Sequence, residues 1–359
     1  MKKQSFRVGM VVWVIFTFFI SLSAFGAGFS HIVSFGDSLS DNGSTILSGF
    51  LYDLGLDNHP TATDPYGIMH VTDGLVWVEY LAGAMGSGLY DAAFAGASSG
   101  AGNPIATTYG PLIQAIVDAY PNHPELAVIA SQLPYTGLLS QVSLLTDSTN
   151  PQYDPFLLSL DMNTTLFTVW AGAVDFLYPI PGKTAADAAQ NIGTALGMLA
   201  GAGAKHILVA NLPDIASTPE YFYYLDQDSR DEASAWTAEF NAALQTILAN
   251  ALGLYPSLRL YPFDVYGLFQ EFTPGSPAWE ELFWNDGFHP SSIGHQIMAQ
   301  RALDLFATES VPEPAIPFLM TLGLLGLAWT SGMGRGRACP ISNLVLRWGG
   351  ESKRKKGRS

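Results

Sequence analysis

The sequence predicts an α/β fold with a mainly parallel central sheet. Three short apolar runs rich in β-branched and aromatic residues predict buried strands, at residues 29–35, 165–170 and 206–212. Helical patterns lie between or after them, at residues 184–202, 229–252 and 291–308. Strands that are apolar throughout need helices on both faces of the sheet, and alternation of strands with helices is typical of parallel pairing.

Each predicted strand ends in a loop with glycine or proline. The first stops at Gly36-Asp37-Ser38, the second at Ala171-Gly172 and the third at Pro213-Asp214. In open parallel sheets, ligands bind at the carboxyl ends of the strands. We therefore expect these loops to hold the functional site, and we expect residues 103–161, which show little periodicity, to form an insertion that shapes or lids it.

The amino-terminal residues 1–28 have the layout of a secretory signal peptide. Lys2, Lys3 and Arg7 precede an apolar run over residues 8–20, and small residues follow up to Gly28. Cleavage is expected near residues 24–28. An uncleaved membrane anchor is the alternative interpretation.

The carboxyl-terminal part begins with a Pro-Glu-Pro motif at residues 312–314. An uncharged apolar stretch extends to residue 334, close to the ~20 residues that cross a bilayer, and a basic tail occupies residues 335–359. This arrangement resembles the PEP-CTERM sorting signal of exported bacterial proteins. The resemblance implies recognition by an exosortase and a membrane anchor before sorting, although in that family the basic cluster ends the protein.

The segment between these ends, residues 29–311, is long enough for one large domain. It holds five of the 16 basic side chains and 29 of the 31 acidic ones, so its formal charge is −24. Such a surface repels phosphate backbones and argues against nucleic-acid binding. The single cysteine, Cys339, lies outside this segment, so we expect neither a disulfide nor a cysteine metal site within it.

A candidate acid/base pair lies just before the last predicted helix. Asp286 precedes His289 by three residues, a spacing at which the carboxylate can fix one ring nitrogen while the other faces a nucleophile. His295 is the competing histidine, but it falls inside the helix with no acid nearby. No pair of histidines has the spacing of metal ligands, so neither a metal nor another cofactor is expected.

Four ordered blocks make the interpretation more specific: FGDSLSDNG at 35–43, AFAGAS at 93–98, GAKH through NLP at 203–213 and DGFHP at 286–290, with DGLVWVEYL at 73–81 as further support. Together they resemble the GDSL, or SGNH, family of lipases and esterases, which implies a flavodoxin-like three-layer sandwich. The resemblance implies that Ser38 attacks an ester carbonyl, His289 is general base and acid, and Asp286 orients His289. It assigns the oxyanion hole to the N–H groups of Ser38 and Gly96.

One block departs from the family pattern. Gly-x-Asn-Asp is expected at 172–175, but Val174 occupies the position of the asparagine that donates to the oxyanion. Asp175 follows it, and both Asp175 and Asp37 are expected to be structural. The chain therefore has two candidate functions: an exported ester hydrolase, or a surface or matrix binding protein of the same fold with little catalysis.

Ser98 is a second candidate for the nucleophile. Ser98 lies in a Gly-x-Ser-x-Gly sequence at 96–100, which is typical of the nucleophile elbow of α/β-hydrolases. That elbow must follow a strand and open a helix, and residues 91–94 and 102–104 favour neither. The expected partner is an ester of unspecified size: a lipid, a short acyl ester or an acetylated glycan.

Overall fold

The computed structural model describes residues 28–43 and 70–307. Its centre is a five-stranded sheet in which every pairing is parallel, with the spatial order β2-β1-β3-β4-β5. The strands are β1 His31–Gly36, β2 Gly88–Asp91, β3 Thr165–Trp170, β4 His206–Ala210 and β5 Arg259–Phe263. This is the flavodoxin-like order, so the predicted α/β fold with a parallel sheet is confirmed.

Twelve α-helices lie among the described residues. They are α1 Trp77–Met85, α2 Pro104–Thr108, α3 Gly110–Ala119, α4 Pro124–Gln132, α5 Leu138–Thr146, α6 Ala173–Leu177, α7 Ala185–Gly201, α8 Pro219–Tyr224, α9 Gln227–Leu254, α10 Val265–Gln270, α11 Pro277–Glu280 and α12 Ser292–Ala307. Short 3₁₀ turns occur at Leu133–Tyr135, Pro155–Ser159 and Ile215–Ser217.

The strand order fixes which face of the sheet each helix covers. The connection from β1 to β2 runs in one direction along the sheet, whereas those from β2 to β3, β3 to β4 and β4 to β5 run in the other. Right-handed crossovers then place α1 on one face and α5, α7 and α9 on the opposite face. The packing agrees, since α1 contacts α12 while α7 contacts both α5 and α9.

Large buried side chains fill both interfaces. On one face Trp77 of α1 meets Trp170 of β3 and Phe263 of β5, with ring centroids 6.0 and 5.7 Å apart. On the other, Phe240 of α9 reaches the end of β3, where a Cβ on Gly172 would lie 2.7 Å from its ring. Gly172 also has φ +130°, so the close approach and the backbone both require glycine there.

The long helices begin where polar side chains cap them. Thr184 accepts from the N–H of Asp187 at 3.2 Å, and the Asp187 carboxylate accepts from the N–H of Thr184 at 2.9 Å, which completes a capping box for α7. Asp226 caps α9 by accepting from the N–H of Ser229 at 2.9 Å. The helices predicted at 184–202, 229–252 and 291–308 correspond to α7, α9 and α12 within a few residues.

The segment 103–161, predicted as an insertion or lid, contains α2 to α5. Its two halves differ. Leu138, Val142 and Leu145 of α5 are buried in the main core, whereas α3 buries none of its side chains. The part that can cover a site is therefore the first half, and α5 belongs to the body of the domain.

The predicted signal peptide lies outside the described residues except for its last position, Gly28, and so do the Pro-Glu-Pro motif, the apolar stretch to residue 334 and the basic tail. These remain predictions. Within residues 28–43 and 70–307, no helix combines the length and the hydropathy needed to cross a bilayer.

Candidate active site

The loop after β1 holds Ser38 at the point where the strand order reverses. β1 pairs with β2 on one side and with β3 on the other, and the crevice beyond such a switch point is the usual ligand site of open α/β sheets. A Cβ at Gly36 would overlap the carbonyl oxygen of Trp170, so only glycine fits where the loop leaves the sheet. The N–H groups of Ser40 and Asp41 both donate to the carbonyl of Asp37, closing a turn that leaves Ser38 half-buried.

Ser38, His289 and Asp286 lie in one hydrogen-bonded line. The Oγ of Ser38 is 2.8 Å from Nε2 of His289, and Nδ1 of His289 is 2.5 Å from Oδ2 of Asp286. Ser38 is 251 positions away from His289 in sequence, so the fold creates this contact. The structure thus brings together the three residues that the sequence singled out as nucleophile, base and orienting acid.

Asp286 is held in its charged form by donors from its own loop. Its Oδ1 accepts from the N–H groups of Phe288 and His289 at 2.9 and 3.0 Å. Burial acts to raise the pKa of Asp286, but the hydrogen bonds and charge of His289, with the backbone donor of Phe288, together lower the pKa below its ordinary value. A carboxylate that stays ionised can fix the imidazole tautomer and stabilise an imidazolium.

The loop that carries this pair turns sharply and is anchored at its tip. Gly287 has φ +71°, which favours glycine, and its carbonyl accepts from the N–H of Glu220 at 2.9 Å. The N–H of Trp284 donates to the carbonyl of His289 at 2.8 Å. These bonds fix the ring of His289 against Ser38.

Two backbone N–H groups, on the Ser38 loop and on the loop joined to it through Asp41, have no hydrogen-bond acceptor among the described residues. Among the hydrogen bonds of residues 28–43 and 70–307, none uses the N–H of Ser38 or of Gly96. Gly96 has φ +80°, and a Cβ there would lie 2.8 Å from Oδ1 of Asn103 and 2.9 Å from Ile105. Unpartnered donors on adjoining loops are what an oxyanion hole requires.

Buried carboxylates tie those two loops together. Asp41 accepts from the N–H of Ala95 at 2.8 Å, and Asp91 accepts from the N–H groups of Asn42 and Ala93 at 2.9 and 3.0 Å. Burial raises the pKa of Asp41 to about 6 and holds the pKa of Asp91 well above its ordinary range. Each acid therefore bridges the Ser38 loop and the loop that leads to Gly96.

Asp37 is buried beneath the nucleophile and does not reach it. Its Oδ1 accepts from the N–H of Leu39 at 3.0 Å, and its Oδ2 is buried with no hydrogen-bond partner among the described residues. Burial, reinforced by the charge of Asp175, raises the pKa of Asp37 to about 7, against the lowering effect of the Leu39 donor. The geometry agrees with the expected structural role of Asp37.

Val174 is buried in the first turn of α6 and has no donor to offer. The next residue, Asp175, accepts from the N–H and the hydroxyl of Ser99 at 2.7 and 2.9 Å. Asn191 of α7 donates to the same hydroxyl at 2.9 Å. Asp175 therefore links α6 to the loop after Gly96, which is consistent with a structural role. Val174 occupies the position of the family's asparagine, but its side chain has no amide to donate a hydrogen bond.

The two competing residues have structural contacts. Ser98 is buried, its hydroxyl donates to the carbonyl of Gly102 at 2.7 Å, and no helix opens at it. His295 is fully enclosed, and its Nδ1 accepts from the N–H of Trp77 at 3.2 Å. Burial, with the nearby histidines His70 and His289, lowers the pKa of His295 to about 3. A ring fixed in this way cannot serve Ser38 as a base.

Sequence reasoning missed the polar clamp on Gly36. Oε1 of Gln141 accepts from the N–H of Gly36 at 2.9 Å, and Nε2 donates to the carbonyl of Gly36 at 2.7 Å and to that of Thr136 at 2.9 Å. Gln141 lies on α5, in the stretch that shows little periodicity. The sequence carries no signal for it, because the burial of Gln141 and its contact with Gly36 appear only in the folded chain.

No cluster of three or more His, Cys, Asp or Glu side chains arranged to hold a metal occurs within the described ranges. The arrangement that does occur is a hydroxyl, an imidazole and a carboxylate in series, beside two unpartnered N–H groups. Chemically, this set can activate a serine hydroxyl and receive negative charge on a carbonyl oxygen.

Comparison with known proteins agrees with the blocks in the sequence. Residues 32–302 match the model of the GDSL-like lipase/acylhydrolase family. The chain is 29% identical over 248 residues to the thermolabile hemolysin of Vibrio parahaemolyticus, a match that covers 68% of this chain and 47% of the hemolysin. The chain thus spans about half the length of that relative.

Two solved structures are similar at low sequence identity. The lipase Lip_vut3 from a goat rumen metagenome is 14% identical, with a TM-score of 0.41 and coverage of 77% of this chain and 96% of that one. The lipase/acylhydrolase from Enterococcus faecalis is also 14% identical, with a TM-score of 0.39 and coverage of 78% and 96%.

Proposed function

Because the chain belongs to the GDSL-like lipase/acylhydrolase family, we propose that it hydrolyses carboxylic esters with Ser38 as the nucleophile. The observation that supports this most is the 2.8 Å contact between Oγ of Ser38 and Nε2 of His289, in line with Asp286. A serine hydroxyl is a weak nucleophile until a base takes its proton, and this contact supplies the base.

In the proposed reaction, Ser38 Oγ attacks the ester carbonyl while His289 Nε2 takes its proton. The imidazolium then donates that proton to the leaving alcohol, and the acyl group remains on Ser38. A water molecule, deprotonated by His289, attacks the acyl-enzyme; the bond from the acyl carbon to Ser38 Oγ then breaks, His289 returns the proton to Oγ, and the acid is released. Asp286 keeps the proton on Nδ1 throughout, so that Nε2 is free to act at each step.

The negative charge that develops on the carbonyl oxygen would be received by the N–H groups of Ser38 and Gly96. Both are unpartnered in the described residues and are held on loops that Asp41 and Asp91 bridge. Preorganised donors act without rearrangement at the moment of attack. With Val174 in place of asparagine, the hole has backbone donors and lacks the side-chain donor.

Val174 motivates a second candidate, a binding protein of the same fold with little turnover. Removing one oxyanion donor typically lowers the rate by about 100- to 1,000-fold. A chain that lacks that donor naturally either turns over slowly or uses the site to bind an ester without cleaving it. Both candidates use the same site residues, and they differ in whether the Ser38 hydroxyl attacks the bound ester.

We also propose that the protein is exported. The layout of residues 1–28 and the Pro-Glu-Pro motif followed by an apolar stretch to residue 334 support an envelope or surface location, with exosortase as the processing partner. Fractionation of cells that produce the full chain tests this. Protein found wholly in the cytoplasm with an intact amino terminus would contradict it.

Turnover of a chromogenic acetate ester tests the enzyme proposal. Ser38→Ala should abolish hydrolysis, whereas Ser98→Ala should retain most of it, because within the described residues the Ser98 hydroxyl bonds to the Gly102 carbonyl and not to His289. The two variants remove the same atom from serines of the same chain, so Ser98→Ala is the matched control. Loss of activity in Ser98→Ala alone would overturn the assignment of the nucleophile.

A further inference from the structure

Helices α2, α3 and α4 enclose a cavity of about 370 Å³ that we call the apolar chamber. Its volume falls in the range of small-molecule pockets, roughly 300–1,000 Å³. The wall on the side of the sheet is formed by Phe94 and Ala95, and aliphatic side chains of the three helices and the following 3₁₀ turn form the rest: Ile105, Leu112, Ile116, Leu126, Ile129 and Leu133.

The lining of the chamber offers few polar groups to a ligand. No charged side chain lines it, and its polar side-chain atoms belong to Asn103 and to Tyr109, which is 52% exposed. The Asn103 amide is already used, since Nδ2 donates to Ala95 and Thr136 and Oδ1 accepts from Ala106, all at 2.9 Å. Apart from the exposed hydroxyl of Tyr109, a sugar would find no side-chain partner in the lining, whereas a hydrocarbon chain needs none.

Helix α3 has an apolar face that the rest of residues 28–43 and 70–307 leaves partly exposed. None of its ten residues is buried, although Leu112, Ile113, Ile116 and Val117 all line the chamber, and Leu112 is 59% exposed. A helix in a stable domain normally buries its apolar stripe against the core. This stripe instead faces the chamber, where an apolar ligand would complete its burial.

The chamber adjoins the loop that carries Gly96, the second candidate oxyanion donor. A Cβ built on Gly96 would lie 2.9 Å from Cβ of Ile105, which lines the chamber. The residue before Gly96, Ala95, accepts through its carbonyl from Nδ2 of Asn103, another lining residue. The N–H of Ala95 donates to Asp41 of the Ser38 loop, and the N–H of Phe94 donates to the carbonyl of Gly36. One short segment, residues 94–96, is thus both the chamber wall and the support of the candidate oxyanion donor.

We propose that the apolar chamber holds the acyl chain of the ester substrate, so that the enzyme prefers long-chain acyl esters to acetylated glycans. This rests on the proposed ester hydrolysis for its consequence in catalysis, but the binding of an apolar chain can be measured without turnover. Each methylene buried in the chamber should raise affinity about four-fold.

Binding is tested on the full chain carrying Ser38→Ala, with cis-parinaric acid as a fluorescent long-chain probe. Adding Ala130→Trp, which places an indole in the half-buried wall of α4, should weaken binding by ten-fold or more, since it displaces at least two methylenes. Adding Leu112→Ser, at an exposed lining position that tolerates substitution, should weaken it several-fold.

The matched control is Ala249→Trp, the same substitution on the exposed surface of α9 in a separate groove. It should leave probe affinity unchanged. Equal affinities in the Ala130→Trp, Leu112→Ser and Ala249→Trp proteins, or no saturable binding at all, would overturn the proposal. Weakening by Ala249→Trp alone would place the chain in the other groove and would also overturn it.

Kinetics separate this proposal from the one it rests on. In the protein with Ser38 intact, Ala130→Trp should lower the ratio of kcat/KM for a dodecanoate ester to that for an acetate ester, and Ala249→Trp should not. If neither ester is cleaved while the probe binds as expected, ester hydrolysis fails and the chamber remains supported. If both esters are cleaved and the ratio does not respond to Ala130→Trp, the chamber assignment fails and hydrolysis remains supported.

Discussion

The two sides of Ser38 are built to different degrees of completeness. On the triad side, His289 and Asp286 supply a continuous series of contacts at 2.8 and 2.5 Å. On the oxyanion side, two backbone N–H groups are unpartnered, but Val174 occupies the position from which the family's asparagine donates. In the proposed reaction, the groups that would activate Ser38 are all present, whereas one of the donors that would stabilise the oxyanion is missing.

This difference separates two contributions that most serine hydrolases combine. Activation of the hydroxyl governs whether Ser38 can form a covalent bond at all, whereas oxyanion donors lower the barrier of the steps that pass through a tetrahedral intermediate. The chain should therefore react with strongly electrophilic reagents yet turn over ordinary esters slowly. Each of the following substitutions alters one side or the frame that supports both.

The largest effect is expected on the triad side. His289→Ala removes the one base that contacts Ser38 among the described residues and should lower kcat/KM by about 10⁴-fold or more. His31→Gln is the matched control. His31 lies at the amino end of β1, whereas Ser38 follows its carboxyl end, so this substitution should leave turnover unchanged. Comparable losses in both variants would show that His289 acts through folding and not as the base.

The next effect should have the opposite sign. Val174→Asn restores a side-chain donor on the oxyanion side and should raise kcat on an acetate ester by up to about 100-fold. Val174→Thr, close to valine in shape but with a shorter donor, is the control and should gain far less. Unchanged or lower turnover in a correctly folded Val174→Asn protein would count against the placement of Val174 at the oxyanion.

Gln141 supports both sides through Gly36, and its substitution should have a smaller effect. Gln141→Leu takes away the acceptor of the Gly36 N–H, an unmade buried hydrogen bond that costs about 1–3 kcal/mol of stability. As a positioning residue it should lower kcat by about ten-fold with little change in KM, because the displaced loop moves Oγ and not the bound ester. If Gln141→Leu lowers the free energy of unfolding but leaves kcat unchanged, Gln141 has a structural role and does not position Ser38.

The smallest effect concerns stability and pH. The pKa of Asp37 is about 7 in the folded protein and 3.8 as a free side chain, so the folded state binds the proton more tightly. Its contribution to stability is full below about pH 4 and is lost as the pH rises through about 7. Asp37→Asn should abolish that loss and stabilise the protein at about pH 8 relative to wild type, by about 1–3 kcal/mol.

Urea unfolding of both proteins at about pH 4 and about pH 8 measures this difference. Asp41 and Asp91 have pKa values raised in the same direction, so part of the pH dependence should remain in the variant. An equal fall in stability between the two pH values in wild type and Asp37→Asn would contradict the buried position of this acid.

Much of the fold was predictable because the central strands have a clear sequence pattern. β1, β3 and β4 are buried on both faces and form continuous apolar runs. The two edge strands were missed for physical reasons: β2 is four residues long and begins with glycine, and β5 contains Pro262, which an edge strand tolerates and a central one does not. An edge strand pairs with only one neighbouring strand, so its hydrophobic pattern in the sequence is weaker than that of a central strand.

The residues of the candidate site likewise fall into those that the sequence reveals and those that it does not. Ser38, Asp286 and His289 lie in local motifs, so they could be identified before the structure placed them together. Gln141 and Asn103 could not, since each acts through contacts with a distant loop and neither lies in a motif. The chamber was equally hidden, because residues 103–161 show little periodicity and the sequence does not indicate what the apolar side chains of α3 contact.

Labelling with a fluorophosphonate tests the central claim most directly, since it asks only whether Ser38 is an activated nucleophile. Mass spectrometry of the treated, folded protein should find one adduct, on Ser38, formed by wild type and Val174→Asn and strongly slowed in His289→Ala. A folded protein that stays unlabelled, or an adduct on Ser98 with Ser38 unmodified, would contradict the account.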